Sequence, residues 1–203
     1  MKKNILTTLV ACILVAALAV GGTLAYMTAT DSKVTNTFQF ANNMTVTLTE
    51  NKPAETGNET ITAQSNGKGY AYANVAPGQT LNKKPEVTVT TSVDAYVFVR
   101  ISGFDGTLIK GGDITTGWTK LNREGVTDTD KNGVYYKAVN GNASAQNLGA
   151  IFEQVTIGNN QLDTTGATPN IPNVVIEVAA IQQLGFDGDV AAAYAEAQAH
   201  FQS

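Results

Sequence analysis

Apolar and polar residues alternate with period two along most of this chain, the pattern of half-buried β-strands. Met44, Val46 and Leu48 alternate with Thr45, Thr47 and Thr49. Tyr70, Tyr72 and Asn74 alternate with Ala71 and Ala73, and Val87 and Val89 with Thr88 and Thr90. Upstream, Val34, Asn36, Phe38 and Phe40 share one face of an extended segment, with Asn42-Asn43 as a turn after it. Pro77-Gly78 predicts a further turn. The run from Ala95 to Val99 is apolar throughout, which predicts a strand buried on both faces in the middle of a sheet. Val134 to Val139, Ile151 to Ile157 and Asn173 to Gln182 complete the strands, and Asn140-Gly141 predicts a hairpin turn. The polar stretches 51–69 and 102–133 read as loops, the first with a short strand at Ile61. Trp118, the single tryptophan, is expected to anchor the core.

The period changes near the end. Val190, Tyr194, Ala197 and Phe201 recur at helical spacing behind Asp189, a good capping residue, with Asp187 as the alternative cap. This apolar stripe should pack on a sheet. Roughly eight to ten short strands and one terminal helix predict an all-β protein. The expected architecture is a two-sheet, jelly-roll-like sandwich with a short C-terminal helix.

The first 25 residues follow a different logic. Lys2 and Lys3 precede an uncharged run from Ile5 to Val20, and Gly21-Gly22-Thr23-Leu24-Ala25 gives a small-residue exit. That is the three-part plan of a secretory signal peptide, cleaved between Ala25 and Tyr26. The run of about 16 residues is short for a spanning helix, which needs roughly 20, so an uncleaved anchor is the weaker reading. Leu9-Val10-Ala11-Cys12 matches a lipoprotein box, but the apolar run continues past Cys12 where a polar tether belongs. The expected division is a signal peptide at 1–25, an extended segment at 26–40 and a β-sandwich domain at 41–203. The protein should be secreted, free of the membrane after cleavage.

Charge and cysteine usage narrow the function. From Tyr26 onward the chain holds 11 Lys and Arg against 17 Asp and Glu. That acidic balance argues against nucleic acid and anionic membranes as partners. Cys12 is the only cysteine, so the secreted chain has no thiol nucleophile, disulfide or cysteine metal site.

Catalytic motifs are missing. The sequence holds no His-Glu-x-x-His, Gly-x-Ser-x-Gly, Gly-x-Gly-x-x-Gly or P-loop pattern, and its one histidine, His200, falls on the terminal helix as a surface residue. Asp128, Asp130, Asn132 and Gly133 occupy positions 1, 3, 5 and 6 of a calcium-loop pattern. Position 12 is Val139, where a bidentate Glu belongs, and a strand follows where an EF-hand has a helix. These three oxygen donors form a weak calcium candidate beside the simpler reading of a turn. No cofactor is expected.

The segment GGTLAYMTATDSKVTNTF (21–38) is similar to the leader-to-mature junction of the TasA/camelysin family of secreted Gram-positive proteins. Ala76-Pro77-Gly78-Gln79-Thr80-Leu81 with Lys84-Pro85, Asp94 to Val97 and Gly133 to Tyr136 also resemble family strands. The resemblance implies processing by a SipW-type signal peptidase and a jelly-roll subunit that builds biofilm matrix fibres. Its partners would be further copies of itself and a companion matrix protein. It also implies that the segment bearing Val34, Asn36, Phe38 and Phe40 is donated to a neighbour's sheet, where backbone hydrogen bonds join subunits. Pairing of that segment within its own sheet is the simpler alternative. Camelysin-like members are labelled metalloproteases, but no zinc-binding motif stands here, so the protein is expected not to be an enzyme. A monomeric extracellular binding module, using a sheet face or the 102–133 loops, is the second reading.

Overall fold

The computed structural model describes residues 44–159 and 170–201. The chain divides into two units, Met1–Phe40 and Ala41–Ser203, and the described residues all belong to the second. The leader, the Ala25–Tyr26 junction, the segment carrying Val34, Asn36, Phe38 and Phe40, and the Asn42-Asn43 turn lie outside the described residues.

The described chain is all-β with one short helix. Its strands are β1 (Thr45–Glu50), β2 (Thr60–Ala63), β3 (Tyr70–Ala73), β4 (Thr80–Asn82), β5 (Pro85–Thr91) and β6 (Ala95–Ser102). They continue with β7 (Ile109–Gly111), β8 (Thr119–Lys120), β9 (Gly133–Val139), β10 (Asn142–Ala150), β11 (Gln154–Ile157) and β12 (Val175–Gln182). Helix α1 (Val190–Ala197) and a 3-10 turn (Gln198–His200) close the chain. Two sheets, β1-β5-β10 and β12-β6-β9-β8, make the sandwich; β4-β11-β7 is a third and β2-β3 a separate hairpin.

One long antiparallel ribbon links three of these sheets. Residues of β4, β5 and β6 run against those of β11, β10 and β9: Thr80 pairs with Thr156, Glu86 with Ala150, Thr91 with Asn142, Ala95 with Val139 and Ile101 with Gly133. The ribbon bends twice. At the first corner the backbone bonds Lys83 N to Glu153 O (3.0 Å) and Ile151 N to Pro85 O (3.1 Å) carry it from the third sheet into the first. At the second, Ser92–Asp94 and Asn140-Gly141 carry it across the sandwich. This is how a jelly roll is wound. The Asn140-Gly141 hairpin expected from sequence is therefore corrected: β9 pairs with β6 and β10 with β5, so the two residues cross between sheets.

Other boundaries shift for local reasons. Ile151 to Glu153 form the first corner, so the strand expected from Ile151 begins at Gln154. The stretch 102–133 contains β7 and β8, and Ile61 lies within the four-residue β2. Ala76 O accepts from Gln79 N (3.1 Å) with Gly78 at φ 77°, the expected Pro-Gly turn.

The core follows the alternation. Val87 and Val89 face Val97, Val99 and Ile101 across the sandwich, with Leu81, Phe104, Phe152, Ile151 and Val155 continuing the cluster. The opposite face of β6 presents Tyr96 and Phe98 to α1, whose Ala193, Tyr194 and Ala197 are buried against it. Both faces of β6 are thus covered, as its unbroken apolar run predicts, with β12 on one side and β9 on the other. Trp118 is buried in the sandwich core. Asp189 caps α1 by accepting from Ala192 N at 3.0 Å.

The crossing corner leaves no room for a side chain at Gly141. A Cβ there would lie 2.7 Å from Ser92 O and 2.8 Å from Val93 Cα, both backbone. Gly141→Ala should lower stability by roughly 1–3 kcal/mol. Urea unfolding followed by tryptophan fluorescence reads that as a lower midpoint with an unchanged slope.

Candidate functional site

Each sandwich sheet ends on one side in a longer strand with only one partner, β1 in one sheet and β12 in the other. Among the described residues β1 pairs with β5 alone and β12 with β6 alone, and the two edge strands lie beside each other. Their inward residues are Val46 and Leu48 on β1, opposite Val89 and Val87, and Ile176, Val178 and Ala180 on β12, opposite Ile101, Val99 and Val97. All five pack on the core yet are only half-buried, whereas Val87, Val89, Val97 and Val99 have no exposure. The apolar interior is therefore partly exposed along this seam.

Edge strands are usually blunted by proline, lysine, bulges or brevity, because their free N–H and C=O groups invite another strand. These two carry none of those devices. β1 reads TVTLTE and β12 reads VIEVAAIQ, with no proline or lysine in either. Each keeps an unbroken register with its partner, six pairs for β1 and eight for β12. The charge on β12, Glu177, is taken up by Arg100 on β6 through two short hydrogen bonds of 2.6 and 2.7 Å. Arg100 also lies 4.5 Å over the Phe201 ring, which ties the C-terminal turn to this edge.

The calcium candidate has a different internal economy. Asp128 is bound by two cations, Arg123 on Oδ1 (2.5 Å) and Lys120 on Oδ2 (3.4 Å). Asp130 Oδ2 accepts from Gly111 N at 2.7 Å. Asn132 clamps Phe104, its Oδ1 accepting from Phe104 N (2.9 Å) and its Nδ2 donating to Phe104 O (2.6 Å). The structure thus sends the three side chains to different partners. Nearby, burial pushes the Asp105 carboxyl up, but N–H donors on Ile109, Thr107 and Leu108 outweigh it and hold the group below its ordinary range. These carboxylates fasten the 104–133 loops to one another. Among the described residues no three His, Cys, Asp or Glu side chains gather as a metal site.

Glu59 is a carboxylate that sequence reasoning passed over. It is 3 % exposed, inside the stretch expected to be loop. The Thr56 N–H bonds it, and against the upward pull of burial this and a bond from Gln79 Nε2 bring its pKa from 4.5 to about 2. Gln79 in turn accepts from Ala76 N, so the carboxylate ties the 56–59 loop to the Pro77-Gly78 turn. His200 is exposed in the terminal 3-10 turn.

The chain matches no family model and no curated protein.

Asn132→Ala should cost roughly 1–3 kcal/mol by stripping Phe104 of both partners, and millimolar calcium should leave the melting temperature of the unaltered protein unmoved. For Glu59 the depressed pKa means a stability contribution that is full above about 4.5 and lost as pH falls through about 2. Glu59→Gln should therefore be less stable than wild type at neutral pH, with the gap closing near pH 2, in urea titrations at several pH values.

Proposed function

We propose that this chain is a secreted structural subunit that assembles with its own copies into extracellular matrix fibres, as in biofilms. After cleavage between Ala25 and Tyr26 by a SipW-type peptidase, the extended segment 26–40 is donated to the sheet of the next subunit. The chain acts by shape and backbone pairing and is not an enzyme.

The observation that carries this reading is the unblunted seam of β1 and β12. A strand laid along either edge gains main-chain hydrogen bonds, and its alternate side chains cover half-buried Val46, Leu48, Ile176 and Val178. The donor suits that role by its sequence: Val34, Asn36, Phe38 and Phe40 alternate with Thr35, Thr37 and Gln39, and no proline interrupts them. The similarity of residues 21–38 to the TasA/camelysin junction supports the same assignment.

Negative-stain microscopy of the chain from Tyr26, beside one from Thr37, tests it. Filaments from the longer chain, with a folded monomer from the shorter, are expected. If both stay monomeric across concentration and pH, unaided assembly is wrong; if both polymerise, strand donation is wrong.

A further inference from the structure

An asparagine followed by glycine can modify itself. The glycine nitrogen attacks the asparagine Cγ, ammonia leaves, and a cyclic imide remains until water opens it. Glycine favours this because it puts no Cβ in the path. The chain has three such steps, Asn66-Gly67, Asn132-Gly133 and Asn140-Gly141, and the fold treats each differently.

Asn132 is locked. Both ends of its amide are bonded to the Phe104 backbone, and Gly133 is buried within β9. Its Cγ cannot swing toward the Gly133 nitrogen without opening the strand and the clamp together. Asn140 is exposed, but Gly141 N donates to Asp94 Oδ1 at 2.8 Å. The attacking nitrogen must shed its proton, and a carboxylate bonded to that proton opposes the resulting negative charge. The corner is also rigid, with Gly141 packed directly on the Ser92 backbone.

Asn66 has the opposite surroundings. It sits at the tip of the β2–β3 hairpin, where residues 62–68 are all exposed. A Cβ on Gly67 would meet nothing within 4 Å, so no neighbouring group crowds the glycine. Gly67 N donates only to a neutral carbonyl, Gln64 O, at 2.9 Å. Asn66 Oδ1 accepts from Lys68 N at 2.8 Å. That bond polarises the side-chain carbonyl, and it points at the oxygen on which charge develops during attack. The Lys68 ammonium adds positive charge one residue further along the tip.

We propose that Asn66 is a self-modifying site of this fold. Gly67 N forms a bond to Asn66 Cγ and releases its proton to solvent; the Cγ–Nδ2 bond breaks and ammonia carries the nitrogen away. Water then adds to either imide carbonyl, giving an aspartate or an isoaspartate at the hairpin tip. Both products add one negative charge, and the second adds a methylene to the backbone. The β2–β3 pair bonds to no other strand among the described residues, so the sandwich survives either change.

Peptide mapping by mass spectrometry, with an isoaspartate-specific methylation assay, reads the three sites after incubation of the full chain in warm, mildly alkaline buffer. In the folded protein Asn66 should convert about tenfold faster than Asn140, with Asn132 slowest, while in concentrated urea the three rates should converge. Asp94→Asn should raise the Asn140 rate and leave that of Asn66 unchanged. Equal or slower conversion at Asn66 than at Asn140 in the folded chain overturns the proposal. So does a ranking that persists in urea, since the fold would then have no part in it.

Discussion

The antiparallel pairing of residues 80–102 with 133–157 is the constraint on which the rest of the structure depends. Backbone donors and acceptors buried in a core must be paired. Here one continuous ladder does this for three sheets, because it bends at its corners without ending. Each corner keeps its own bonds: Lys83 to Glu153 and Ile151 to Pro85 at one, Gly141 to Asp94 at the other. β-Bulges between Asn142 and Gln146, and between Asn147 and Gly149, absorb the register change in between. Strands β1, β7, β8 and β12 then attach along the sides of a ribbon that already exists.

The second layer depends on the first through β6. Its two faces feed two cores, so any shift of Phe98 or Tyr96 under the helix is felt by Val97 and Val99 inside the sandwich. The helix itself has weak claims to independent stability: it is eight residues long and buries mainly alanines. Tyr194 against Phe98 (5.4 Å between ring centres) and against Phe201 (6.1 Å) supplies most of its aromatic contact. Arg100, held by Glu177 and stacked on Phe201, joins helix end, central strand and edge strand in one polar clamp. The clamp satisfies a charged pair on the outer face while the inner face of β12 stays apolar.

What the sequence revealed follows the physics of each element. The doubly buried β6 and the half-buried β1, β5 and β9 announce themselves because burial dictates their pattern. So does the capped terminal helix. β10 (NASAQNLGA) gave no such signal: most of it is exposed, and its place in the ladder is set by backbone bonds to β5, which any residue can make. Asn140-Gly141 misled for a related reason, since a dipeptide that suits a tight turn suits a sheet crossing equally well. At the candidate edge, the apolar inward residues were visible but their exposure was not. That depends on which strand stops being paired, a fact of topology. Asp128, Asp130 and Asn132 had calcium-loop spacing, yet spacing says nothing of the Arg123, Lys120, Gly111 and Phe104 groups that occupy them.

The ribbon also governs how the domain comes together. Its innermost pair, Ile101 with Gly133, closes the shortest loop, and each later pair outward spans more chain, up to the 76 residues between Thr80 and Thr156. With the inner loop closed, every following pair adds only a small further closure cost. Pairings this distant in sequence are the kind that slow folding relative to local contacts. A chain in which β6 and β9 were paired but β5 and β10 were not would carry open strand edges, the kind of surface on which chains aggregate.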